Sequence, residues 1–161
     1  MARTSRRTVS KPTRKPLTKD MLLPLPVARV RALSLENHLF LAAIRGGHGS
    51  MEVAMNLLRV LYLSWFMRDA ADAERDLDVF REAEAVLARG RIRAHQHQGW
   101  TLPEEDHRVL EHILALHDQQ LASMPSHRYI VAWERLQRFL RSDDWSPIGP
   151  GGPDEDEEQK C

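Results

Sequence analysis

A chain of 161 residues, 42 % apolar and 29 % charged, fits a single domain with a real hydrophobic core. Its one cysteine, Cys161, excludes a disulfide framework, and its most apolar window, Val53–Met67, is broken by Asn56, Arg59 and Ser64, too short and too polar for the roughly 20 apolar residues of a membrane span. Basic and acidic residues balance at 23 each but are segregated: residues 1–19 carry Arg3, Arg6, Arg7, Lys11, Arg14, Lys15 and Lys19 without an acid, whereas residues 143–161 carry seven acids against Lys160.

Residues 1–16 hold too little apolar surface to offset ordering entropy and read as a disordered basic tail. They lack the apolar stretch of a secretory signal, and Pro12 and Pro16 oppose the amphipathic helix of a mitochondrial transit peptide, which points to the cytoplasm. Leu22-Leu23-Pro24-Leu25-Pro26 predicts an extended apolar strap. A short helix over 26–33 follows, with Pro26 in its first turn. Ser34 then predicts the N-cap of a separate helix, Leu35–Ile44, that buries Leu35, Leu39, Ala42 and Ala43 and stops at Gly46-Gly47.

Ser50 and Glu52 open the next helix, 51–68, which is apolar nearly all round, with a polar stripe of only Glu52, Asn56 and Arg59. Such a helix belongs in the middle of a bundle or in a subunit interface. Residues 70–89 predict an amphipathic helix with Leu77, Phe80, Ala83 and Leu87 inward, ended by Gly90 and followed by a polar link over 91–98. Thr101 and Glu104 carry the spacing of a capping box for a helix running to about Ser123, which buries Val109, Ile113 and Leu116, with Leu110, Leu114 and Leu121 as further candidates. A last helix, 127–141, presents Ile130, Trp133, Leu136, Phe139 and Leu140. From Ser142 onward the prolines and glycines argue against packed structure.

No pattern carries a specific chemistry. Glu104-x-x-His107 has the helix spacing of a di-iron carboxylate pair, but it occurs once, and a capping acid beside a surface histidine explains it as well. His95-x-His97 lies in the polar link without a cysteine, and His112 and His117 diverge on a helix, so all read as surface residues and no metal or cofactor is expected. Ser50 and Ser64 have no histidine partner visible in the sequence, and Cys161 sits in a tail. Gly46-Gly47-His48-Gly49 lacks the Lys-Ser/Thr of a P-loop and reads as a joint between helices. The basic run is the strongest functional feature, since seven cations without an acid favour salt-sensitive binding to a polyanion, the plainer reading being a solubilising tail.

The stretch from Leu17-Thr18-Lys19-Asp20-Met21-Leu22-Leu23-Pro24-Leu25-Pro26 through Leu33-Ser34-Leu35-Glu36-Asn37-His38 to Gly46-Gly47-His48-Gly49 resembles short proteobacterial proteins labelled Fis family transcriptional regulators, over about residues 17–68. The resemblance implies a bacterial cytoplasmic protein and DNA binding. Proteins of that type end in a basic helix-turn-helix, where this chain ends in an acidic run.

The expected architecture is all-α, a compact bundle of five to six helices over 17–142 between a disordered basic tail (1–16) and a disordered acidic tail (143–161). The expected function is that of a non-enzymatic helical interaction or regulatory protein, self-associating through the 51–68 helix or its surroundings. The alternative is a nucleic-acid-associated regulator using Arg3, Arg6, Arg7, Lys11, Arg14, Lys15 and Lys19.

Overall fold

The computed structural model describes residues 16–69 and 76–149. Five α-helices and one 3-10 turn (Asp20–Leu22) make up the described architecture: α1 (Val27–Arg45), α2 (Met51–Met67), α3 (Leu77–His95), α4 (Glu104–Ser123) and α5 (Ser126–Phe139). It contains no strand, only an isolated bridge between Pro24 and Pro125. No helix among the described residues is long and apolar enough to cross a membrane.

Helix α2 is the axis of the bundle and touches all four other helices. The Ser50 hydroxyl caps its first turn by accepting from the Val53 amide at 3.2 Å. Five consecutive residues, Val60 to Ser64, are buried, more than one full turn, so α2 is enclosed on every side at its centre. The expectation that this segment hides among other helices holds. Its contacts are spent on its own chain, with Leu41 and Ile44 of α1, Phe80, Ala83 and Val86 of α3, Leu110, Ile113, Leu114 and Leu121 of α4 and Leu136 of α5 forming the shared core.

Three boundaries differ from those the sequence predicts. Helix α1 is continuous from Val27 to Arg45. Ser34 does not cap a new helix there, because its hydroxyl donates sideways to Asp118 Oδ2 of α4 at 2.9 Å. Helix α3 runs through Gly90 to His95 and absorbs much of the expected polar link. Gly90 is a notch and not a stop: a Cβ there would stand 3.2 Å from Leu102 Cδ2 and 3.5 Å from the Trp100 ring, which cross over the helix at this point. Just beyond the end of α3 the chain turns at His97, in the left-handed region at φ 61°, with the Gln98 amide bonded to the Arg93 carbonyl at 3.0 Å. Helix α4 starts after Pro103 with no side-chain cap. Glu104 reaches across to Arg45 at 3.0 Å, so the Thr101–Glu104 capping box does not form.

Two predicted faces are also turned. On α1 the buried residues are Asn37, Leu41 and Ile44, while Leu35 and Leu39 point outward. On α5 Ala132 and Leu136 are buried and Ile130, Trp133 and Leu140 remain exposed. Both helices are apolar on more than one side, and periodicity alone does not rank the sides. The acidic end begins with order: Ile148, only 3 % exposed, belongs to the main core, contrary to the expectation that packing stops at Ser142. The extended strap predicted before α1 is present and fastened. The Ser126 amide donates to the Leu23 carbonyl at 2.7 Å, and His127 Nδ1–H donates to the Met21 carbonyl at 2.8 Å.

Candidate functional site

Of the seven basic residues singled out from the sequence, Arg3, Arg6, Arg7, Lys11, Arg14 and Lys15 lie outside the described residues. Lys19 is described, exposed at the start of the 3-10 turn.

The histidines are distributed differently from their expected surface placement. His107 and His117 are buried, at 5 % and 2 % exposure. Buried Ser64 Oγ stands 2.8 Å from His117 Nδ1, a pairing that sequence spacing could not reveal because the partners are 53 residues apart on α2 and α4. Burial pushes the His117 pKa down to about 4. His38 donates from Nε2 to Asp118 at 2.9 Å, onto the same carboxylate oxygen that takes the Ser34 hydroxyl. Glu104 and His107 are not joined: Glu104 pairs with Arg45, and His107 Nδ1 has no hydrogen-bond partner among the described residues. No group of three or more His, Cys, Asp or Glu among the described residues could hold a metal ion.

One cavity of about 280 Å³ opens between α2, α3 and the end of α5, walled by Met51, Met55, Tyr62, Trp100, Phe139 and Trp145. Its polar groups already satisfy one another. The Tyr62 hydroxyl donates to Glu84 at 2.5 Å, Ser142 donates to Asp144 at 2.9 Å, and the Arg91 guanidinium lies 5.1 Å from the Trp145 ring centre. Burial and the Glu84 carboxylate push the Tyr62 phenol well above its usual pKa. This is the arrangement of a wall that holds the end of α5 and the 142–148 segment in place.

The outer face of α1 is different in kind. Ala28, Ala32, Leu35, Leu39 and Ala42 are all exposed and follow one another at steps of 4, 3, 4 and 3. That is the spacing of a coiled-coil seam, five positions long on a preformed 19-residue helix. Leu35 is 63 % and Leu39 57 % exposed, as large a display of leucine as any helix of the bundle makes. The opposite side, with Val30, Leu33, Asn37, Phe40, Leu41 and Ile44, packs into the core. Charged residues border the seam: Arg31, His38 and Arg45 on the edge nearer α4, Arg29 and Glu36 on the other. On the α4 edge, His38 is bonded to Asp118, and Arg45 to Glu104 and Glu111, at 2.8–3.0 Å.

No family model, curated protein or solved structure matches this chain.

The site thus stands on geometry alone. The sequence reading found Leu35 and Leu39 but assigned them to the core. The full 28-32-35-39-42 pattern, continuous through Ser34, was the signal that could have placed them outside, because a helix whose two apolar sides each repeat at 3–4 residues has one side more than its own core needs.

Proposed function

We propose that this is a cytoplasmic, non-enzymatic helical interaction protein that self-associates through the outer face of α1. The observation that carries the reading is the exposed Ala28-Ala32-Leu35-Leu39-Ala42 seam. A heptad stripe is self-complementary, since knobs from one copy fill holes of the same kind in another. The helix is already built by its packing on α2 and α4, so pairing carries no nucleation cost. The sequence placed self-association on α2 or its surroundings. With α2 occupied by its own core, the exposed seam of α1 is the surface we assign to it.

Magnitudes set the strength. Fully burying a leucine contributes about 1.5–3 kcal/mol, and the four leucines of a pair are a little over half exposed beforehand, which gives roughly 4–6 kcal/mol. The cost of fixing two bodies together is of similar size, so the pair is weak and its net affinity comes from the alanines and the rim. Light scattering and sedimentation from about 10 µM to 1 mM test this. The expected result is a rise toward dimer mass, abolished in L35E/L39E with the helical circular dichroism unchanged. A monomer across that range overturns the reading.

A second reading rests on the charge run at residues 3–19. There the basic arm binds nucleic acid through its phosphates, and removing residues 1–15 is expected to abolish salt-sensitive retention of duplex DNA while leaving self-association intact.

A further inference from the structure

We infer that the partner on this face is α1 of a second copy lying parallel to the first, with Arg31 and Glu36 as the residues that set its direction. The inference rests on the reading that α1 self-associates. Its argument is charge complementarity along the edges of the seam. With Ala32 and Leu39 at heptad position a, and Ala28, Leu35 and Ala42 at d, the flanking g positions are Arg31, His38 and Arg45, and the e positions are Arg29, Glu36 and Ala43.

In a parallel pair each g residue faces the e residue five positions further along its partner. Arg31 then meets Glu36 of the second copy, and by symmetry Glu36 meets the second Arg31. His38 meets Ala43, which is neutral. Among the described residues neither Arg31 nor Glu36 has an ion-pair partner in its own chain, so both are available.

In an antiparallel pair the same edges meet like with like. Packing a against d places Leu35 opposite Leu39, which brings Arg31 against Arg45 on one edge and Glu36 against Glu36 on the other. Arg45 is already answered by Glu104 and Glu111 of its own chain, so that arrangement offers Arg31 no free acid and sets the two Glu36 carboxylates against each other. Exposed ion pairs are individually weak, but here two attractive contacts in one orientation are set against the Glu36–Glu36 repulsion in the other, and orientation follows the difference.

The direction is readable from charge reversal, measured as the dimer dissociation constant by sedimentation equilibrium at low salt. In the parallel arrangement R31E weakens the dimer by about ten-fold, because it turns two attractions into two repulsions. E36R weakens it similarly, and the double variant R31E/E36R restores it. In the antiparallel arrangement E36R leaves the dimer nearly unchanged, because it exchanges one like-charge contact at position 36 for another, and adding it to R31E restores nothing. A second measurement is oxidative cross-linking of L39C in a C161S background, where parallel helices bring the two thiols together across the axis. Restoration in the double variant with efficient cross-linking supports the parallel pair. An E36R dimer as tight as the wild type overturns it while leaving self-association standing, and a monomeric wild-type chain overturns both.

Discussion

Ser64 and His117 face each other across the centre of the bundle at 2.8 Å, both sealed from solvent. Burial makes the neutral imidazole the favoured form. With a folded pKa of about 4 against about 6.5 for the unfolded chain, protons bind the unfolded state first as the pH falls. The contribution of the neutral His117 to stability is therefore fully present above about pH 6.5 and is lost progressively as the pH drops toward 4. The loss should be about 2–3 kcal/mol at pH 4.5 relative to pH 7. Urea unfolding at both pH values should show a larger drop for the wild type than for H117Q, and equal drops would refute the assignment.

Gly49 illustrates how tightly the α1–α2 joint is seated. A Cβ at this position would lie 2.5 Å from Trp100 Cβ and 3.0 Å from the Trp100 carbonyl oxygen, and neither atom is the tip of a flexible chain. Gly49→Ala is expected to destabilise the fold by about 1–3 kcal/mol, as overpacking does. Gly47, at φ +78° with open space around its Cα, should tolerate the added methyl sterically and lose stability only through backbone strain. Denaturant midpoints of the two variants test both statements.

Ile148 makes the segment after α5 part of the structure. Ile148→Ala removes a buried side chain from the core cluster and should cost about 2–4 kcal/mol. Shortening the chain to end at residue 142 should cost at least as much. Thermal unfolding unaffected by either change would contradict the packing of this segment.

Arg89 holds the Asp106 carboxylate at 2.7 Å, and Asp106 is nearly buried at the start of α4 while Arg89 also reaches Glu82. Asp106 chiefly, with Glu82, holds the Arg89 guanidinium charged. Arg89→Met keeps the apolar stem but leaves the carboxylate without its cation, so a loss of about 1–3 kcal/mol is expected, with partial recovery in R89M/D106N. A double variant no better than the single one would show that the pair contributes little.

Much of this architecture could be read from the residues. The all-helical class, the enclosed α2 with its thin Glu52–Asn56–Arg59 stripe, the inward Phe80, Ala83 and Leu87, and the strap before α1 all follow from local pattern, and local pattern decides them. What escaped was decided at long range. Gly90 terminates nothing because Trp100 and Leu102 need the space beside it, and Ser34 caps nothing because Asp118, 84 residues away, takes its hydroxyl. Leu35 and Leu39 were recognisable as a face but not as the outer one, since that depends on which side of α1 meets α2 and α4. The buried Ser64–His117 pair left no trace in spacing at all.

The fastening of the strap has a consequence for how the chain is made. Its anchors, Ser126 and His127, bond to Asp20 and Met21 across 106 residues. A growing polypeptide therefore cannot close this end of the molecule until the start of α5 has left the ribosome. Until then the leucines of the strap and the side of α2 that α5 covers remain open to competing contacts, so the interval before α5 emerges is when a nascent chain is most exposed to misassembly.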